Sequence, residues 1–228
     1  MNVCFRLSMT ILTVLFGCQQ SMTDSTPVLE GSNLLEVAQS FQWSNPPTEF
    51  EFQDGSLEIT VVSGTDFFNN PETLEVTGTA PLLYREIEGD FVATALVQPD
   101  FGDMWNASSV MVFIDSLNWI KFAFENSDAT GRTLVSVVTR ETSDDANGPL
   151  MTGEDTIWLR VIKKSHLYAL HWSLDRSNFK MARLCSMPES RQVRVGLEAQ
   201  CPVGTIATHK FLYFSLESKT VDDLRLGI

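Results

Sequence analysis

Short runs of β-forming residues, separated by turn signals, limit how this chain of 228 residues can fold. In FVATALV, which begins at Phe91, every second side chain is apolar and would lie on the same face of a strand. In FEFQDGSLEITVV, Asp54-Gly55 separates two such runs, and glycine supplies the positive φ that a tight hairpin needs. Roughly a dozen runs without a helix-length amphipathic segment predict an all-β, two-sheet antiparallel jelly-roll sandwich.

The N-terminus has the pattern of an export signal. Arg6 precedes the apolar run LSMTILTVLF, which is about half of the ~20 apolar residues that span a bilayer. The following LFGC resembles a bacterial lipobox, in which the cysteine, here Cys18, receives the lipid. Residues 1–17 are therefore predicted to be a lipoprotein signal peptide, and the alternative is an ordinary cleaved signal with a coincidental cysteine.

Residues 18–33 are polar and lack periodicity, which predicts a flexible tether after the lipidated Cys18. Residues 34–228 are long enough for a single jelly-roll domain. These features predict a protein anchored by its lipid in the bacterial cell envelope. In bacteria with two membranes, the residue after the lipidated cysteine influences sorting of the lipoprotein. Gln19 at this position resembles the signal for the outer membrane.

The charge of the chain restricts its partners. The net charge of -13 repels phosphate backbones, so nucleic acid is not an expected partner. The same charge disfavours binding of the folded domain to anionic lipid, so contact with the membrane is expected through the lipid anchor alone.

Cys185 and Cys201 are the two cysteines of the predicted domain, and export would allow them to form a disulfide. If SMPES turns between KMARLC and QVRVGLEAQC, however, Cys185 should face residues near Val193. Both the disulfide and a pair of buried thiols therefore remain open.

Several segments, in order along the chain, resemble a bacterial family known as DUF1349, and the resemblance spans about residues 41–226. They are DGSLEITVVSGTDFF, LLYREIEGDFVATALV, MVFIDSLNWIKFAFE, SVVTRETSD, WLRVIKK and GLEAQCPVG. The family is similar in architecture to concanavalin A-like lectins and glucanases. This chain departs from the family pattern at Asp145, where an aromatic residue is common, and at Asn106, where a carboxylate is common.

Glu86 and Glu88 are the acid candidates for a glycoside hydrolase, because hydrolysis usually requires two carboxyl groups about 5–10 Å apart. Jelly-roll glucanases, which the family resembles in architecture, carry a third acid five residues after the first. Counted from Glu86, that position is occupied here by Phe91. Gly89 predicts a turn directly after Glu88, so solvated surface acids are the favoured interpretation. The histidines and the remaining motifs give no catalytic residues and no transition-metal site.

Trp105 is the aromatic candidate for sugar stacking, since it lies in FGDMWNASS, a predicted loop with no pattern of burial. Asp103 and Asn106 beside it could donate or accept hydrogen bonds with a ligand. The alternative is that Trp105 closes one end of the sandwich. No cofactor is predicted, although Ca²⁺ could bind the acidic segments at Asp100 and Asp144.

These observations favour a lipid-anchored module that binds carbohydrate without catalysis. The enzyme question stays open: a glycoside hydrolase or lyase acting on a polysaccharide is the alternative, and a structural or protein-interaction domain is the third. An exposed aromatic side chain over a polar groove would favour binding, whereas two acids in one cleft would favour catalysis.

Overall fold

The structure, a computed structural model, describes Leu34 and residues 39–228. The predicted signal peptide, the lipidated Cys18 and the tether lie outside the described residues. Within the described part of the chain, no helix has the length and apolar character needed to cross a membrane.

Residues 39–228 form sixteen strands. Their bounds are β1 (Gln42–Ser44), β2 (Glu49–Gln53), β3 (Ser56–Val62), β4 (Phe67–Asn69), β5 (Val76–Gly78), β6 (Leu82–Glu88), β7 (Phe91–Gln98), β8 (Ala107–Asp115), β9 (Asn118–Ser127), β10 (Gly131–Arg140), β11 (Thr142–Leu150), β12 (Ile157–Lys164), β13 (Leu167–Ser173), β14 (Lys180–Ser186), β15 (Gln192–Gln200) and β16 (Ile206–Glu217).

Fourteen of these strands make two seven-stranded antiparallel sheets. Sheet A has the order β1-β6-β15-β8-β9-β10-β11, and sheet B has the order β14-β13-β12-β7-β16-β3-β2. The remaining two strands, β4 and β5, form a separate antiparallel pair. The all-β sandwich of two antiparallel sheets predicted from the sequence is confirmed.

The main core lies between the two sheets, and strand alternation explains which side chains fill it. On β7, the predicted inward set beginning at Phe91 is completely buried. On β9, Ile120, Phe122 and Phe124 point to the same core. Each such side chain contributes ~1.5–3 kcal/mol on burial, so these apolar stripes fix which face of each sheet is inside.

The predicted hairpin turn at Asp54-Gly55 is confirmed. Asp54 and Gly55 join β2 to β3 with φ values of 51° and 80°. Ser116 and Leu117 form a second turn, which joins β8 to β9 in the middle of sheet A.

Two features of the strand arrangement were not predicted. The acidic segment that contains Asp144 forms β11, whose exposed side chains suit the edge position that it occupies beside β10. Moreover, β14 and β15 lie in different sheets, so they do not form the hairpin that would bring Cys185 opposite Val193. Cys185 and Cys201 are both free thiols.

Gly196 permits the close pairing of β15 with β6 in sheet A. It lies opposite Tyr84, and a Cβ atom at this position would be 1.8 Å from the carbonyl oxygen of Leu83. No side chain fits there unless the backbone of β6 moves. This pairing matters for function because it carries Arg194 and Glu198 to the surface described below.

We therefore expect Gly196→Ala to lower the free energy of unfolding in urea by at least ~2 kcal/mol. Gly89→Ala is the matched control, because Gly89 has a φ of 75° and no heavy atom within 4 Å of an added Cβ. The control should lose only the ~1 kcal/mol that a left-handed alanine costs. Equal losses in the two variants would contradict the steric role of Gly196.

Candidate functional site

The candidate site lies on the outer face of sheet A, the face turned away from sheet B. Side chains that alternate with the core residues of β8, β9 and β15 point to this face. On β9 they include Trp119, Lys121, Ala123 and Glu125, all of them buried. Because the outer face of a sandwich is normally wetted, their burial indicates that another part of the chain covers it.

The covering part is residues 65–69, which we call the crossing segment. At one end, Thr65 forms an isolated bridge with Cys201, directly after β15. At the other end, the buried Asn69 donates from Nδ2 to the carbonyl oxygens of Ser116 (2.9 Å) and Glu141 (3.0 Å). The segment therefore crosses the outer face from the end of β15 to the turns beside β9 and β10.

Lys121 holds the middle of the crossing segment. Its Nζ atom donates to Asp66 Oδ1 (3.1 Å), to the carbonyl oxygen of Phe67 (2.9 Å) and to Gln200 Oε1 (2.6 Å). All three donor positions of the ammonium group are satisfied, although the residue is only 2% exposed. Two of the acceptors belong to the crossing segment, so this lysine ties the segment to the sheet.

Two buried acids accompany this lysine. Glu198 on β15 accepts a hydrogen bond of 2.6 Å from the Ser109 hydroxyl, and Glu125 lies on β9. Burial raises the pKa of Glu125 to about 8 and that of Glu198 to about 7, with Lys121 opposing the rise in both cases. Burial alone would lower the pKa of Lys121, but the charges of Asp66, Glu198 and Glu125 outweigh it and raise that pKa.

Perturbed acids often mark catalytic sites, but the geometry of these two indicates a supporting role. The register places Glu125 and Glu198 two strands apart and offset by two residues, which puts their Cα atoms roughly 12 Å apart. Glu198 is 0% exposed and Glu125 is 6% exposed. These carboxyl groups are therefore positioned to balance Lys121 under the crossing segment.

Beside the crossing segment is an open pocket of about 110 Å³, between the outer face and the β4–β5 pair. Phe67, Phe113 and Trp119 line it, with the Phe67 ring edge-on to the other two at centroid distances of 6.1 and 6.0 Å. Asn45 fixes the opposite wall by donating from Nδ2 to the carbonyl oxygens of Gly78 (2.8 Å) and Ala80 (3.1 Å). The volume is comparable to the ~150 Å³ cavity that admits benzene in an engineered core.

Arg194 supplies the cationic group of the pocket lining. Its guanidinium carbon lies 5.0 Å from the Tyr84 ring centroid and 5.7 Å from that of Phe113. Its Nε atom is 3.6 Å from Glu86 Oε1, and this side-chain pair is 40% and 47% exposed. Arg194 is therefore partly exposed and lies at the edge of the aromatic surface.

The structure places the acid candidates of the sequence next to this pocket. Glu86 and Glu88 share the outer face of β6, where Glu86 pairs with Arg194 and Glu88 Oε2 is 3.3 Å from Arg191 Nε. Asp90 follows the turn at Gly89 and accepts a hydrogen bond of 2.8 Å from the backbone N–H of Ser165. The three carboxyl groups therefore have separate partners.

The structure does not bring together the side chains of the predicted stacking site. Trp105 is half-buried with a φ of 63°, and its carbonyl oxygen accepts from Gln200 Nε2 at 2.8 Å. Asp103 is exposed, whereas Asn106 is 0% exposed on the strand face that points to the core. Trp105 therefore lies at the end of sheet A opposite the pocket, and its role in binding stays a prediction.

The segments considered for Ca²⁺ are engaged by protein groups. Asp144 pairs with Arg183 at 2.8 Å, and Asp100 Oδ1 accepts from the backbone N–H of Gly102 at 2.8 Å. Within residues 39–228, no group of three or more histidine, cysteine, aspartate or glutamate side chains is placed to hold a metal ion.

One residue of the sequence indicates a covered outer face. Lys121 interrupts the apolar run NWIKFAFE, and a charged residue within a buried strand usually has a specific partner. Trp119 in the same run is both buried and part of the pocket lining. Contacts with Phe67 and Arg194, distant in sequence, could not be read from local patterns.

The pKa of Glu125 gives a testable pH dependence. Because its folded-state pKa is raised from the ordinary 4.5 to about 8, stability present at low pH is lost as the pH rises through this range. Through Glu125 alone, the free energy of unfolding should fall by ~1–2 kcal/mol between about pH 6.5 and about pH 8. Glu198 and the histidines also titrate in or near this range, so the contribution of Glu125 is the difference between the wild type and a Glu125 variant.

Glu125→Gln should remove most of this fall in urea denaturation experiments, whereas the exposed control Glu72→Gln should retain it. A wild-type protein that becomes more stable over this range, or a Glu125→Gln variant that keeps the whole fall, would contradict the assignment.

Comparison with solved structures identifies relatives of this sandwich. A functionally unknown protein from Saccharomyces cerevisiae has a TM-score of 0.75 at 25% identity, covering 80% of this chain and 98% of that chain. The carbohydrate-binding module CBM66 from Bacillus subtilis has a TM-score of 0.51 at 11% identity, covering 77% and 95%. The GH43 BlXynB protein from Bacillus licheniformis has a TM-score of 0.57 at 9% identity, covering 78% of this chain but 39% of that chain.

The likeness to the last two proteins concerns the jelly-roll fold alone, since their identities are low. No curated protein sequence matches the chain significantly. The family model described as "Protein of unknown function (DUF1349)" matches residues 43–219, which is most of the chain. The chain therefore belongs to the DUF1349 family.

Proposed function

We propose that this protein is a non-catalytic carbohydrate-binding module that receives the end of a glycan in the pocket of sheet A. The pocket is the observation that carries the proposal: an aromatic wall lies beside polar groups in an open, ring-sized concavity. Sugars present flat C–H faces that pack on aromatic rings, while their hydroxyls require hydrogen-bond partners around the rim.

The crossing segment favours recognition of a chain end. An extended polysaccharide lying across the strands would collide with residues 65–69, which are held to the sheet by Lys121 and Asn69. The small pocket volume is consistent with one terminal unit. The rest of the glycan would extend into solvent past Arg194.

The relatives support binding as the function class. One fold neighbour is the carbohydrate-binding module CBM66, and this neighbour matches over nearly its whole length. The GH43 neighbour is more than twice as long as the matched region, so the shared sandwich is only part of that protein. In this chain, the acids with raised pKa values are covered by the crossing segment and do not line the pocket.

The anchor is the second part of the proposal. We infer that Cys18 carries lipid and that residues 18–33 connect it to the folded domain at the cell envelope. Acyl burial contributes ~0.8 kcal/mol per CH₂, so an N-terminus with several acyl chains stays on its membrane. A tethered module of this kind would hold glycan ends close to the cell surface.

A glycan array with the purified protein tests the binding proposal. Phe113→Ala removes one aromatic wall and should weaken binding to any positive glycan by about tenfold. Trp105→Ala is the matched control at the other end of sheet A and should bind as the wild type does. Loss of binding in Trp105→Ala but not in Phe113→Ala would favour the stacking site predicted from the sequence and contradict the pocket.

Metabolic labelling with a fatty acid in a bacterial host tests the anchor. The wild-type chain should incorporate label and sediment with membranes, and Cys18→Ser should lose both properties. Cys4→Ser, which alters the cysteine of the predicted signal peptide, should keep them. An unlabelled wild-type chain would contradict the lipid anchor.

A further inference from the structure

We propose that the pocket selects a sugar unit bearing a carboxylate, a uronic acid at the end of a glycan, and that Arg194 binds this carboxylate. The inference rests on the proposed carbohydrate-binding function and names its ligand class. It follows from the placement of one cation in the pocket and from the charges around that cation.

The guanidinium of Arg194 has unused donor capacity. Among residues 39–228, its polar contact is the long 3.6 Å approach to Glu86, which exceeds ordinary hydrogen-bond length. The aromatic rings of Tyr84 and Phe113 hold the group in place without occupying its N–H donors. A guanidinium group has five such donors in a planar fork that matches a carboxylate.

The pocket is free of opposing charge. Its lining contains no aspartate or glutamate, although the whole chain has a net charge of -13. The lining residues are Ser44, Asn45, Phe67, Val76, Thr77, Gly78, Leu82, Phe113, Ser116, Trp119 and Arg194. Arg194 therefore offers a positive charge beside apolar surface, in a lining without acids. This arrangement suits a ring that carries an anionic group.

The negative net charge of the protein favours a small anionic ligand over a polyanion. A polyanion lying along the surface would meet the acidic protein at many points, and charges within about 8 Å are not screened at physiological salt. A single carboxylate at a chain end reaches Arg194 with fewer of these repulsive contacts. Glu86 is the internal competitor for the same guanidinium, so its charge limits the affinity.

Matched glycosides test the inference with the full-length purified protein. The probes are methyl glucuronide against methyl glucoside, and methyl galacturonide against methyl galactoside, each pair differing in the carboxylate. Nuclear magnetic resonance of the Trp119 indole N–H and the Arg194 side chain gives both the location and the affinity. At least one uronide should bind about tenfold more tightly than its neutral match, because hydrogen bonds to charged groups are the stronger ones.

Three variants should change this preference in different ways. Arg194→Gln should abolish it, so that a uronide and its neutral match bind equally, and Arg194→Lys should retain part of it, because lysine keeps the charge without the fork. Glu86→Gln should strengthen uronide binding about threefold by removing the competitor. Raising the salt should weaken uronide binding and leave neutral binding unchanged.

The outcomes separate this inference from the function on which it rests. Equal binding of uronide and neutral glycoside at Trp119 would leave the carbohydrate proposal standing and overturn the carboxylate assignment. A preference that survives in Arg194→Gln, or tighter binding of a sulfated methyl glycoside, would also overturn it. If none of the glycosides shifts the Trp119 and Arg194 resonances, both proposals fail.

Discussion

The buried ammonium group of Lys121 is the interaction on which the surface of this sandwich depends. A lysine buried within a strand would ordinarily destabilise the fold, because an unpaired charge out of water costs several kcal/mol. Here the charge is offset by Asp66 and by two acceptors that satisfy the remaining donors. Asp66 and Phe67 belong to the crossing segment, so these contacts act with the Thr65 bridge and the Asn69 hydrogen bonds to hold a wall against the outer face of sheet A. The pocket exists because this segment is held there.

The electrostatics of this cluster follow from its burial. Burial raises the pKa values of Glu125 and Glu198, and the charges of Asp66, Glu198 and Glu125 raise the pKa of Lys121. The cluster therefore has perturbed pKa values like those of an active site. Its two acids are buried, however, so a substrate could not reach them. The groups that meet solvent at the pocket are Arg194 and part of Phe113, which suit binding better than proton transfer.

The sequence predicted the sandwich well because its signal is local. Alternation along β7 and the turn at Asp54-Gly55 determine strand faces and hairpins without reference to distant residues. The pocket could not be predicted in this way, since Phe67, Trp119 and Arg194 are brought together by sheet order. The candidate Trp105 was chosen because its burial was unexplained, yet Asn106 beside it turns to the core, as strand β8 starts at the next residue. Lys121 was the one local sign of a covered outer face.

Membership of DUF1349 connects this chain to a family of unknown function, so its function is inferred from the site. We propose that a glycan end enters between Phe67 and Arg194 at the edge of the crossing segment. The decisive test is a crystal structure of the protein with a glycan that it binds. We predict density for one terminal sugar against Phe113 with the chain leading to solvent. Density that runs along sheet A at Trp105, or on sheet B, with the pocket unfilled, would contradict the account.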